Sequence, residues 1–317
     1  MSLTHRLHRI VGSTVDARSL AIVRIAVGFA LLIRGFVSWD MMNRVYLSGL
    51  CVLPYFDWLP VLPHSMIPGF CLFWSFAGFC LMIGWRTTIA GVSLLILISY
   101  FLALDQQFYG SHLYLMALIC FLVTIGDSTA DLACKNRTNG VRTRIQSWPV
   151  TLLKLQLSIV YLFTSFTKIN HDYLSGLVIN LNLRGTGSLG FPENWLTPSL
   201  ASLMAVGSIA TELFLAIGLW FAATRRLAVT IGIVFHGSIL IWIAPAVFWE
   251  LIVFAVETLC LYSLFFWKIE YTPAWQRPDV SERDSAERVI LESAIRTDES
   301  VLEELPTSRV MTQEPEH

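Results

Sequence analysis

The sequence predicts an all-α protein, a polytopic membrane helix bundle of about eight transmembrane helices with both termini cytoplasmic. Three observations carry that reading. Of the 317 residues, 55% are hydrophobic and only 14% charged, against about a quarter charged in a soluble domain. That deficit excludes a disordered chain and argues against an ordinary soluble enzyme. The apolar residues are grouped in runs of roughly 20, the length of one helical bilayer crossing. Cations collect in alternate connections, as the positive-inside rule requires.

Residues 1–17 form a basic cytoplasmic leader with Arg6 and Arg9. The first run, Ser19–Trp39, follows without a small-residue cleavage pattern, so it is a retained helix that also serves for targeting. Further runs are Met66–Trp85, Thr87–Leu104, His112–Ile125, Val150–Ile169, Leu200–Phe221, Leu227–Ala244 and Val247–Trp267. They make up a membrane domain over residues 18–270. With an even count, one side holds eleven cations, from Arg6 through Arg137 and Arg226 to Lys268. The other holds only Arg44 and Arg184, so the first side is cytoplasmic. With no visible retention signal and a small size that suggests a bacterium, the expected host bilayer is the cell membrane. Residues 271–317 are an acidic, largely disordered cytoplasmic tail.

Two outer connections are expected to be structured. Residues 40–65 interleave Pro54, Pro60 and Pro63 with Tyr46, Tyr55, Phe56 and Trp58, and residues 170–199 are semi-polar, with part of 174–182 re-entrant or interfacial. The six cysteines have no metal spacing and no disulfide framework. There is no phosphate loop or nucleotide motif, and neither a metal nor a nucleic-acid partner is expected.

Ionisable side chains in hydrocarbon cost a few kcal/mol each at about mid-bilayer, so each one needs a reason. In the fifth run Tyr161, Thr164, Ser165 and Lys168 recur at helical spacing as one polar stripe, with Lys168 at the outer end. His112 opens the fourth run at the same side, His236 lies at mid-depth in the seventh, and Arg34 lies in the outer half of the first. Glu250 and Glu257 are seven residues apart on one face of the eighth, and Glu212 lies in the sixth. Together Arg34, His112, Lys168, His236 and Glu250 outline an outward-facing acid–base cavity. Structural readings stand beside this one. Lys168 can snorkel to headgroups, His112 can be interfacial, and His236 can make a structural hydrogen bond. Glu212, Glu250 and Glu257 can be counter-ions of Arg24 and Arg34.

The stretch Val160-Tyr-Leu-Phe-Thr-Ser-Phe-Thr-Lys-Ile-Asn-His-Asp-Tyr-Leu-Ser-Gly176 resembles the central motif of the vitamin K-dependent gamma-glutamyl carboxylase family. Those enzymes share a membrane core, the horizontally transferred transmembrane (HTTM) domain, with small bacterial relatives. Val160, Tyr161, Lys168, Asp172 and Gly176 align with the motif. Thr164-Ser165 stand where the family has Ala-Gly, and Tyr173 where it has Trp. Ser111-His-Leu-Tyr-Leu and the ordered set Glu212, Arg225-Arg226, Phe235-His236 are similar to further family motifs, and the resemblance covers residues 15–270.

The resemblance implies that Lys168 is the catalytic base that deprotonates a reduced quinone of vitamin K type, and that His112 acts in a carboxylation half-reaction. The product class would be that of a carbon–carbon bond-forming lyase. An amine acts as a base only when uncharged, a form that apolar surroundings favour. The chain ends soon after the last run, without the large luminal region that holds the carboxylase's peptide substrate. Three functions therefore stand side by side. The first is a quinol- and oxygen-driven carboxylation or related proton abstraction. The second is a non-catalytic factor for maturation or export of a small secreted peptide, of the sporulation-delaying-toxin type. The third, a transporter, is disfavoured by the lack of inverted repeats. The lipid bilayer is the partner common to all three.

Overall fold

The computed structural model describes residues 13–47, 53–134, 143–184, 191–242 and 248–271. The chain divides into a unit of Met1–Tyr271 and a unit of Thr272–His317. The second, which holds the expected acidic tail, lies outside the described residues, as do residues 1–12 of the leader.

The long helices are α1 (Arg18–Leu47), α2 (Ile67–Ile83), α3 (Thr87–Leu104), α4 (Ser111–Ile125) and α5 (Trp148–Thr167). Two short helices follow, α6 (His171–Leu174) and α7 (Leu177–Arg184), and then α8 (Pro198–Gly218), α9 (Ala222–Trp242) and α10 (Phe248–Leu264). Six of the described helices are long and apolar enough to cross a membrane. The other two apolar helices, Ser111–Ile125 and Leu251–Leu264, are shorter. Each apolar run of the sequence thus corresponds to one helix. The first extends past its expected end to Leu47, with an i,i+4 ion pair between Asp40 and Arg44 on the added turns.

Helices α1 and α2 pack backbone to backbone. A Cβ at Gly28 would lie 2.4 Å from the Met82 nitrogen, and one at Gly78 2.6 Å from the Leu32 nitrogen, so only glycine permits this approach. Around them the core is a column of rings. Trp74 meets Phe70 and Phe101 edge-on at 6.0 and 5.6 Å, and Phe101 stacks on Phe108 at 4.5 Å. The 53–66 segment is tied down by hydrogen bonds. The Leu53 N–H donates to the buried Asp105 carboxylate (2.9 Å), and the Tyr100 hydroxyl donates to the Pro60 carbonyl (2.8 Å).

One feature was not expected. Part of the leader and of the 126–149 connection form a three-stranded antiparallel sheet, with β1 (Ser13–Asp16) between β2 (Arg144–Gln146) and β3 (Glu270–Tyr271). The register pairs Val15 with Ile145 and Thr14 with Glu270. Arg144 bridges the two outer strands through a 3.0 Å contact with Glu270. Val15 and Ile145 are buried, so one face of the sheet closes the bundle.

A second expectation is corrected. Arg24, fully buried, takes no glutamate as counter-ion. Its guanidinium donates to the carbonyls of Ser128, Leu81, Met82 and Leu132 at 2.5–3.0 Å. The last carbonyls of a helix have no intrahelical partner, and Arg24 satisfies those of α2.

Candidate functional site

Helix α5 ends at Thr167, and the next nine residues fold back. The Asn170 side chain accepts from the Tyr173 N–H (2.9 Å) and starts the single turn of α6. Gly176 then reverses the chain at φ 80°, where a Cβ would lie 2.5 Å from the Ser202 nitrogen. Both the left-handed conformation and the close approach to α8 demand glycine. This fold-back carries Tyr173 over the end of α5. Its ring centre is 5.4 Å from the Lys168 Nζ, and its hydroxyl contacts the Ser208 Oγ at 2.8 Å.

Lys168 donates to the Glu212 Oε1 at 2.6 Å, joining α5 to α8. The lysine side chain keeps a quarter of its surface, whereas that of Glu212 keeps 7%. The amine is therefore partly exposed and not sealed. It stands at one end of a cavity of about 380 Å³ walled by α7, α8 and α9. Val178, Ile179, Leu183, Met204, Ile239 and Trp242 make most of the wall apolar. Lys168, Tyr173, Ser208 and Thr211 supply polar groups, with Asn182 and Ser238 also on the wall. A small satellite core of Leu183, Leu196 and Ala201 holds α7 in place.

The remaining expected site residues fall into two other places. Tyr161 lies one α5 face-repeat deeper. Its hydroxyl contacts the His236 Nε2 at 3.0 Å and also the Tyr262 hydroxyl. The Tyr262 ring is admitted by Gly232, where a Cβ would sit 2.4 Å from the Tyr262 oxygen. Thr164 and Ser165 turn their hydroxyls back onto their own helix, to the carbonyls of Val160 and Tyr161, and the Thr164 hydroxyl also lies within reach of the Glu212 carboxylate. These groups do not line the Lys168 cavity: Phe235, Ser238 and Ile239 face it, and His236 faces the bundle core.

The third group lies between α1, α4 and α10. Arg34 is buried with its guanidinium 5.7 Å from the Phe101 ring, and Glu257, fully buried, is within its electrostatic reach. His112 packs edge-on against Phe254 at 6.5 Å, and His236 packs against the same ring at 5.5 Å. Of the residues expected to share one chamber, His236 is within the electrostatic reach of Lys168 and packs with His112 against the Phe254 ring, while Arg34 lies with Glu257. The Glu250 side chain lies outside the described residues.

Two residues escaped the sequence reading. Tyr262 sits in an apolar run, with Thr258 one turn before it as a weak mark at helical spacing. Tyr173 carried a signal, since it occupies the motif position where the family has a large aromatic ring. Among the described residues no three His, Cys, Asp or Glu side chains converge as metal ligands.

The HTTM domain model matches residues 13–268, four-fifths of the chain. No solved structure matches it. A match of that extent, with Lys168 to Gly176 folded as one unit at the end of α5, means that the chain belongs to the HTTM domain family.

Proposed function

We propose that this membrane protein of the HTTM family abstracts a proton from a lipophilic hydroquinone at Lys168, on the outer side of the cell membrane. The carrying observation is that, among the described residues, the one charged side chain on the wall of a mostly apolar cavity is an amine held by a buried carboxylate. In this reading all eight long helices cross the bilayer and both termini are cytoplasmic. The sheet supports an even count, because four long helices separate β1 from β2 and four separate β2 from β3. The charge bias supports the orientation.

The cavity suits a quinone ring. Its volume of about 380 Å³ falls within the roughly 300–1,000 Å³ range of small-molecule sites. Its apolar walls match a ring and tail, and its polar groups sit where ring oxygens need partners. A reduced quinone of the vitamin K class would supply the acidic hydroxyl and, with oxygen, the oxidising power for a carboxylase-type outcome. The chain's own residues do the rest. In the resting ion pair the Lys168 ammonium first passes a proton to Glu212 Oε1, 2.6 Å away, which leaves Nζ neutral. Nζ then takes the hydroxyl proton and leaves a quinol anion, and the base is restored when Glu212 loses its proton to solvent and accepts the next one from Nζ. Tyr173 covers the amine, and its bond to Ser208 keeps the cover closed. The apolar wall excludes water from the reacting edge.

The Lys168–Glu212 pair also favours a second reading, in which the amine is committed to a structural ion pair and the protein is a non-catalytic factor for a small secreted peptide. Turnover separates the two. The full-length protein in lipid nanodiscs is supplied with a reduced naphthoquinone and oxygen, and quinol loss is followed against empty nanodiscs. Lys168→Ala should fall to background, and Glu212→Gln by about a hundredfold, the lower end of the general acid–base contribution. Wild-type protein no faster than Lys168→Ala would sink the catalytic reading; co-purification of a small secreted peptide is what the second reading expects.

A further inference from the structure

Helix glycines in this bundle are mostly explained by what they touch. Gly28, Gly78 and Gly232 each face an atom that an added Cβ would approach within 2.6 Å. Gly207, in the middle of α8, is different: a Cβ there would meet nothing within 4 Å. Glycine inside a helix loses backbone entropy relative to alanine, and here no helix contact compensates for it. Gly69 and Gly237 are also unopposed, but only Gly207 of the three lines the Lys168 cavity. It lies one turn from Met204 on one side and from Thr211 on the other, both also on the wall. The neighbouring Ser208 is held by the Tyr173 hydroxyl at 2.8 Å and donates to the Ala205 carbonyl at 2.9 Å. The bare stretch of helix is thus fixed beside the ring that covers Lys168.

We propose that Gly207 is the specificity-determining residue of this cavity: its missing side chain leaves a flat backbone floor that admits a fused aromatic ring system. This rests on the hydroquinone reading above and deepens it by naming the residue that selects the ring. A Cβ at position 207 would extend into open space beside Met204 and Thr211 on the wall, and a larger side chain there would narrow the cavity for a rigid ring. A flexible alkyl chain can bend past the obstruction and is affected less.

The test uses the full-length protein in lipid nanodiscs with 2-methyl-1,4-naphthoquinone as the probe. Binding is read as saturable quenching of tryptophan fluorescence, since Trp242 is part of the wall, and Trp242→Phe should reduce the quenching amplitude. Wild-type protein should bind saturably, Gly207→Ala several-fold more weakly, and Gly207→Leu without saturation. The melting temperature of Gly207→Ala should equal or exceed that of wild type, because alanine favours the helix and its methyl meets no atom. A glycine kept for packing gives the opposite pair of results, a lower melting temperature with intact binding. That pair overturns the inference, as does Gly207→Leu that binds the naphthoquinone like wild type. Equal displacement of the probe by decanol also overturns it, because the cavity then does not choose rings. Failure is separable from that of the proposed function. Loss of turnover in Lys168→Ala with full binding by Gly207→Leu removes this inference alone. Ring binding governed by position 207, without turnover in wild type, removes the catalytic reading alone.

Discussion

Tyr161 joins three helices through one oxygen, which contacts His236 on α9 and Tyr262 on α10. All three side chains are buried within the bundle, so the loss of that oxygen strands two polar groups away from water. Tyr161→Phe is expected to lower stability by about 1–3 kcal/mol, the cost of leaving buried partners unsatisfied. Tyr161→Phe combined with Tyr262→Phe should cost less than the sum of the two single changes, because the groups share one network. Denaturation in detergent, followed by far-UV circular dichroism, measures both. An additive result would mean that the hydroxyls act independently. Much of this site is legible in the sequence, because Tyr161, Thr164, Ser165 and Lys168 repeat at the helical period on one face. Their partners are not. Lys168 meets Glu212 across 44 positions of chain, a pairing that helix packing decides and that no local pattern records. Arg24 finds its acceptors among backbone carbonyls, which every residue has and which therefore leave no mark in the sequence.

At the scale of elements, the fold-back from Lys168 to Gly176 positions the amine. Its shape depends on one left-handed residue lying hard against α8. Gly176→Ala should destabilise by more than about 1 kcal/mol, since alanine is strained at positive φ and its methyl collides with the Ala201–Ser202 backbone. The loss should be local: protease cleavage within α7 should accelerate while the long helices keep their protection. Unchanged cleavage would show that the turn tolerates a side chain. The long helices were readable because a bilayer imposes about 20 apolar residues on each crossing. The strands were not, since segments of four, three and two residues carry too few positions to display alternation. The helical nature of Leu177–Arg184 was equally faint. It is apolar on two sides, with Leu183 buried in the satellite core while Leu177 and Leu181 are exposed on its outer side.

For the whole molecule, the sheet and the charge bias predict one orientation, and native chemistry offers a direct reporter. Cys134 is exposed near the predicted inner end, Cys71, Cys80 and Cys120 are buried, and Cys260 is half-buried. In a Cys51→Ser background, a membrane-impermeant maleimide should label Cys134 in inside-out vesicles and not in right-side-out ones. Labelling in right-side-out vesicles alone would invert the topology and put Lys168 on the cytoplasmic side.

The sheet has a consequence for biogenesis. Its central strand, β1, emerges first from the ribosome, but one partner follows only after four long helices and the other after eight. A nascent chain can insert helix by helix, yet this seam cannot close until translation has passed Tyr271. The fastening of the bundle therefore waits until all eight long helices have been synthesised.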